Sequence, residues 1–222
     1  HLSPYLWCAA NPINLTDPTG MYFNSTDSAQ ANIYIERLNQ RIAELYNSKA
    51  KDRDEQLAEV NKSLQDIEDM RNDPERRYTF NYVDGEPETK VLLDGSIQMC
   101  IDENMQGNYA HEIRHGGQVS RKEFSYTNGV PNNRYGASHE VSAYRAQFSS
   151  CGEFVYMPKY NFDIDQNVAL KISLLGQKSV WKTITRLKDI SVKLLKDIYE
   201  GPGLNIKPLY SIKKFGKDWF KK

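Results

Sequence analysis

The sequence His-Glu-Ile-Arg-His at residues 111–115 constrains the fold more than any other stretch of this chain, which holds only four histidines. Residues four apart lie on one face of an α-helix, one turn from each other. Two imidazoles so placed can bind one tetrahedral metal ion at about 2.0–2.1 Å each. Glu112 is rotated about 100° around the helix from His111, so it is poorly placed as a ligand but can reach a water on the metal. The pattern therefore predicts a metal site with His111 and His115 as ligands and Glu112 as general base.

A catalytic zinc ion needs a third protein ligand and an open fourth position. The alternative to a metal site is that the two histidines are surface residues flanking a solvated glutamate. The longer pattern H-E-x-x-H-x-x-G-x-x-H is excluded, because Gln118 and Arg121 stand where its glycine and third histidine would be. The third ligand must therefore come from a more distant part of the chain.

A second helix is predicted over HEVSAYRAQFS, residues 139–149, with Ser138 as its cap. Its apolar side chains recur on one face, so it can pack against the first helix. Glu140 lies beside that face, and we predict it as the third ligand. His139 and Glu123 are the alternative ligands. A solvated carboxylate, favoured by the helix dipole, is the non-functional alternative for Glu140.

The rest of the chain predicts an α+β fold, mainly helical, with a small antiparallel sheet before the helix of residues 111–115. Apolar residues recur at helical spacing in two stretches that flank a polar turn near residues 47–52. Alternating aromatic residues from Tyr78 predict strands, and Ser96–Ile101 could pair with substrate along its edge. Asp102 or Asn104 is expected to begin the first active-site helix, and the glycines at 116 and 117 to end or bend it. The predicted segments are a helical hairpin at 27–72, a sheet at 76–101, active-site helices at 103–150, and C-terminal helices and a tail at 163–222.

Charge and composition speak against several partner classes. Lys and Arg number 29 and so do Asp and Glu, so overall charge does not favour a nucleic-acid or membrane partner.

A helix with apolar positions from Val180 to Leu195 is predicted to end at residues 201–203. The basic, aromatic stretch after it is expected to anchor the C-terminus through its aromatic rings while its lysines stay in water. Docking on anionic membranes or nucleic acid is the alternative.

The N-terminal stretch SPYLWCAANPINLTDPTGM, residues 3–21, resembles the end of the core region of RHS/YD-repeat proteins. The residues that match the family signature are Asn11, Pro12, Asn14, Asp17, Pro18 and Gly20. The resemblance implies that residues 1–20 end the repeat-associated core and that 21–222 form a polymorphic-toxin domain. Such a domain is enclosed in the RHS shell of its parent chain and secreted or delivered into a target cell. A small immunity protein is expected as a partner, and the chain is expected to be a fragment of a larger protein.

The metal-site residues resemble those of the gluzincin metallopeptidases, which carry H-E-x-x-H on one helix and a glutamate on the next. Gly136, Glu140 and Ala143 fit the thermolysin-like frame G-x-x-N-E-x-x-S, with His139 where asparagine is common. Two glycines after His115 and the lack of an aspartate after the third ligand depart from the family pattern. The resemblance implies a zincin-like fold, Zn2+, a strand lining the cleft, and hydrolysis of a protein or peptide substrate.

The expected chemistry follows from these assignments. Zinc held by the three ligands lowers the pKa of its water, and Glu112 takes the proton as that water attacks a peptide carbonyl. Tyr144, His139 and Tyr135 are candidate donors to the oxyanion. Three alternatives are a catalytically inactive metal-binding or interaction module, another zinc-dependent hydrolase, and a peptidase that processes its own parent protein.

Overall fold

The computed structural model describes residues 23, 25–84, 87–127, 129–156, 182–199 and 217–222 of the chain. The RHS-like stretch 3–21 lies outside these residues, as do the predicted helix end at 201–203 and residues Tyr210 and Phe215 of the tail. None of the described helices combines the length and apolar character needed to cross a membrane.

The described residues form a mixed α+β structure with five α-helices and a three-stranded sheet, in agreement with the predicted class. The helices are α1 (Ser25–Tyr46), α2 (Arg53–Arg71), α3 (Asn108–Ser120), α4 (Ala137–Cys151) and α5 (Val192–Tyr199). The sheet strands are β1 (Tyr78–Tyr82), β2 (Glu88–Val91) and β3 (Ile97–Ile101). Two further antiparallel pairs join β4 (Tyr126–Thr127) to β5 (Val130–Pro131), and β6 (Phe154–Tyr156) to β7 (Lys182–Ile184).

The helical hairpin of α1 and α2 forms as predicted, with its turn at residues 47–52. Leu38 and Leu45 on α1, and Val60 and Ile67 on α2, are almost fully buried in the main core. The apolar stripe of each helix therefore faces the same interior, as helical periodicity requires.

The sheet is mixed, so the prediction of a wholly antiparallel sheet is wrong. Strand order is β1-β3-β2, with β2 antiparallel and β1 parallel to β3. A tight turn joins β2 to β3, in which Leu92 N donates to Ser96 O. This hairpin leaves the other edge of β3 for β1. Because β3 is central, it offers no edge to a substrate, and the expectation that it does so is also wrong.

Helix α3 continues past both glycines to Ser120, so they do not end it. It begins at Asn108, after Gly107 with φ +71°, and not at residue 102 or 104. The glycines instead let α2 approach closely. A Cβ at Gly117 would overlap Asp66, and one at Gly116 would overlap the sulfur of Met70.

Arg114 joins three helices from a fully buried position on α3. Its Nε donates to Asp66 on α2, and its Nη1 donates to Glu59 on α2 at 2.8 Å and to Ser142 on α4 at 2.8 Å. A buried guanidinium is stable only when its donors are satisfied in this way. The contacts fix the relative positions of α3 and α4, which carry the predicted ligands.

The segment after α4 differs from the single helix predicted from Val180 to Leu195. Residues Lys182–Ile184 form β7 and Leu187–Asp189 form a 3₁₀ turn, so only Val192–Tyr199 is helical there. Strand β7 pairs with β6, and this pairing overrides the helical spacing. At the C-terminus, Trp219 is buried while the last two lysines are exposed, which confirms that an aromatic ring anchors this end.

Candidate metal centre

Helix α3 places both motif histidines in the interior with their rings turned towards each other. His111 and His115 are 8% and 6% exposed, and their Nε2 atoms lie 3.2 Å apart. A surface pair flanking a solvated glutamate would expose both rings. The structure therefore excludes the interpretation of these two residues as a surface pair.

Helix α4 brings Glu140 to the same point. Its Oε2 lies 3.6 Å from His111 Nε2, its Oε1 lies 3.5 Å from His115 Nε2, and the residue is 4% exposed. Among the described residues, these three side chains form the group that could hold a metal ion. His139 is not part of it, because its Nδ1 accepts from the Gly136 N–H at 3.1 Å.

The separations of the three groups fit one small ion. A tetrahedral metal with bonds of about 2.1 Å separates its ligand atoms by about 3.4 Å. The observed separations of 3.2, 3.5 and 3.6 Å scatter around that value. Two imidazole nitrogens and the two oxygens of one carboxylate therefore converge as a three-residue ligand set.

Gln118 sets the orientation of His115. The Gln118 Nε2 donates to the His139 carbonyl oxygen at 3.2 Å, so its Oε1 must accept from His115 Nδ1, 2.9 Å away. This hydrogen bond keeps a proton on Nδ1, so Nε2, which faces His111 and Glu140, is the nitrogen that can give a lone pair to a metal. His111 Nδ1 is buried without a hydrogen-bond partner among the described atoms, although the Gln147 side chain lies near enough to favour the charged ring.

The charges of the cluster are strongly coupled. Burial lowers the pKa of His111 to about 3. Burial also lowers the pKa of His115, but Glu140 outweighs it and the net shift is upward. Burial raises the pKa of Glu140, but His115 outweighs it and the net shift is downward. In the site without metal, the Glu140 carboxylate therefore favours a positive charge on His115. A bound metal cation would take the place of that charge.

Glu112 lies beside the cluster and is 2% exposed. Its Oε2 accepts a hydrogen bond of 2.8 Å from the Thr89 hydroxyl on β2. Burial raises its pKa to about 7, against the opposing influence of His115 and Thr89. A carboxyl group with such a pKa can both take and release a proton near neutral pH.

The three candidate oxyanion donors occupy different places. The Tyr135 hydroxyl donates to Glu140 Oε1, so it is in direct contact with a predicted ligand. The Tyr144 ring stands edge-on to His111, with centroids 4.6 Å apart. His139 stacks on Tyr135 at 5.6 Å and does not enter the cluster. The Tyr135 hydroxyl thus meets a carboxylate of the site directly.

Sequence reasoning missed Thr89 and Gln118. Gln118 follows His115 by three residues, so helical spacing could have indicated that it reaches the ring. Thr89 is separated from Glu112 by more than twenty residues, and no local spacing links a strand to a helix. A polar residue on the buried face of a strand was the one available signal.

Comparison with protein-family models finds no match, and searches of curated proteins and of solved structures find no similar protein. The chemistry of the site therefore rests on its own geometry.

Proposed function

We propose that this chain is a zinc-dependent peptidase that hydrolyses a peptide bond of a protein substrate. The observation that carries the proposal is the buried cluster of His111, His115 and Glu140, with Glu112 beside it. Two imidazoles and one carboxylate with an open fourth position are typical of catalytic zinc, whereas structural zinc sites use four protein ligands. Magnesium and calcium sites use oxygen ligands, whereas two of the three ligands here are imidazole nitrogens.

Glu112 is the proposed general base. Zinc, when bound, lowers the pKa of its water towards about 7 and polarises the substrate carbonyl. Glu112 accepts a proton from the attacking water and later gives it to the leaving amine. A binding module has no use for a buried carboxylate at this position, because ionising it in the interior is costly. The burial of Glu112 therefore supports an enzyme over an inactive metal-binding domain.

Tyr135 is the best placed of the candidate groups for the oxyanion. Its hydroxyl already contacts Glu140, so a small movement would turn it to a substrate carbonyl at the same ion. Tyr144 packs its ring against His111 and is better suited to holding that ring in place. His139 supports Tyr135 by stacking. We assign Tyr135 to the oxyanion, Tyr144 to the orientation of His111 and His139 to the support of Tyr135.

Strand β2 is the proposed docking edge for an extended peptide. It is an outer strand of the sheet. Leu92 N donates to Ser96 O, and in an antiparallel ladder this pairing turns the peptide groups of Thr89 and Val91 outwards. Tyr126 already donates to Thr89 O on that side. A substrate that pairs with β2 by strand addition would pass the cluster at Glu112.

The resemblance of residues 3–21 to the end of an RHS core suggests the biological role in which the peptidase would act. It assigns residues 21–222 as a toxin domain that acts on a protein of a target cell and is neutralised by an immunity protein. Two observations test this setting. Long YD repeats should lie directly upstream in the full protein, and expression of the domain should inhibit growth in a Glu112-dependent manner. Absence of both would remove the toxin assignment and leave the peptidase proposal intact.

The peptidase itself is tested by metal analysis followed by a cleavage assay. We expect one zinc per chain in the purified protein, and its loss in His111→Ala. Zinc-loaded wild type should cleave casein or a proteome-derived peptide library, and Glu112→Gln should bind zinc without cleaving. Equal cleavage by the two proteins would refute the proposal, and zinc binding without cleavage by either would favour a binding module.

A further inference from the structure

Thr89 is a buried residue of β2 that the chemistry above does not require. It is 3% exposed, and its Oγ1 donates to Glu112 Oε2 at 2.8 Å. We propose that Thr89 is a positioning residue that fixes the Glu112 carboxylate for proton transfer. The proposal rests on the proposed peptidase function and adds to it a specific residue outside both metal-binding helices.

The strand alternation explains why this hydroxyl points inwards. Glu88 and Lys90, on either side of Thr89, form an ion pair with each other at 2.9 Å and are about two-fifths exposed. Successive side chains of a strand point to opposite faces, so Thr89 faces α3. An apolar residue would serve the core equally well at this position, because burying a hydroxyl is unfavourable unless it finds a partner. Its partner is Glu112.

The hydrogen bond restrains the carboxylate in one direction. The Thr89 hydroxyl has a single proton, and the Glu112 carboxylate oxygen at 2.8 Å is much closer than the Glu112 main-chain oxygen at 3.4 Å. Threonine is branched at Cβ, so few rotamers are open to it on a strand. The position of the Thr89 donor is therefore set by the strand and does not depend on Glu112. Its hydrogen bond restricts rotation of the Glu112 carboxylate about the last side-chain torsion.

Tyr126 holds the main chain that carries Thr89. Its hydroxyl donates to the Thr89 carbonyl oxygen at 2.7 Å from the hairpin of β4 and β5. This bond lies on the outer edge of β2, where none of the described strands pairs with it. Thr89 is thus fixed by β3 on one side and by Tyr126 on the other, which makes it a rigid support for the base.

The test compares two substitutions at Thr89 with a matched control. Thr89→Val removes the hydroxyl and keeps the shape, and Thr89→Ser keeps the hydroxyl. Thr79→Val is the control, because Thr79 is also a buried strand threonine but its hydroxyl reaches only the Ile97 carbonyl, at 3.5 Å. A hydrogen bond to a charged group corresponds to about a ten- to hundredfold effect on a rate. We expect kcat to fall by that factor in Thr89→Val, with KM and zinc affinity unchanged, and to stay near wild type in Thr89→Ser and Thr79→Val.

Binding of acetohydroxamate to the cobalt-substituted protein gives a readout that does not depend on turnover. The hydroxamate hydroxyl gives its proton to the base, so a displaced Glu112 should weaken binding about tenfold in Thr89→Val and not in Thr89→Ser. Wild-type kcat and affinity in Thr89→Val, or equal losses in the valine and serine variants, would overturn the role of Thr89. A rise in KM alone would assign Thr89 to substrate binding instead. Failure of wild type to exceed Glu112→Gln would overturn the peptidase and this role together.

Discussion

Replacing Glu112 by glutamine should stabilise the metal-free protein, and only at neutral and higher pH. Burial raises the pKa of Glu112 from 4.5 to about 7. Between these values the unfolded chain is ionised while the folded chain keeps its proton. The folded state then binds more protons, so its stability falls as pH rises. Glutamine does not titrate and can still accept the hydrogen bond from Thr89.

The size of the effect follows from the pKa change. One pKa unit corresponds to about 1.4 kcal/mol, so a change from 4.5 to about 7 is worth about 3 kcal/mol. The difference in the free energy of unfolding between Glu112→Gln and wild type should be near zero at pH 4.5. It should grow through pH 5 and 6, reach about 3 kcal/mol between pH 7 and 8, and remain constant above that.

Urea denaturation in the presence of a chelator at several pH values measures this difference. Subtracting wild type from variant cancels the titration of groups whose pKa values the substitution leaves alone. Glu36→Gln is the matched control, because it makes the same change at an exposed position of α1. A difference for Glu112→Gln that stays flat from pH 5 to 8 would refute the burial of an ionisable base at this place. Saturating zinc should shrink the difference, because a nearby cation favours the ionised carboxylate.

Three further substitutions test the surroundings of the site. Gly117→Ala should destabilise the protein by a net ~1–2 kcal/mol in urea denaturation, because the added methyl overlaps buried Asp66 at a cost of about 2–3 kcal/mol and helix propensity offsets about 1 kcal/mol of it; an unchanged midpoint would contradict the close packing. Arg114→Met should cost about 3–5 kcal/mol at pH 7 and less in acid, where Asp66, whose pKa burial raises, becomes neutral; a pH-independent loss would contradict this. Tyr135→Phe should weaken zinc binding about tenfold in a chelator competition, because Glu140 loses its hydroxyl partner; unchanged affinity would leave Tyr135 without a supporting role.

Periodicity predicted the hairpin of α1 and α2 correctly, because the apolar residues that a helix buries recur every three to four positions in the local sequence. It failed for the sheet, because alternation at Tyr78 and Phe80 fixes which face of a strand is buried but not the direction of its neighbour. The glycines at 116 and 117 show the same limit for helices. Their meaning depends on Asp66 and Met70, which approach from a helix some fifty residues earlier.

The site itself was easier to predict than the fold around it. His111 and His115 are related by one helical turn, and Glu140 needed only a second helix nearby, so three side chains with strong metal preferences sufficed. Tyr135 could not be chosen over Tyr144 from sequence, because the selection depends on which hydroxyl meets a carboxylate. Thr89 could not be found at all, since nothing local connects it to its partner.

The connection between the ligands has a mechanical consequence. His115 and Glu140 are joined by residues 116–139, so an ion bound to both would close this segment into a covalent ring. Tyr126, which holds the strand of Thr89, lies on that ring. Removal of the ion by a chelator would open this ring. The support that Tyr126 gives to Thr89, and through it to Glu112, would loosen at the same time. Trypsin should then cleave the metal-free protein between α3 and α4. Restoring the cation should restore both the positions of the three ligands and the position of Glu112.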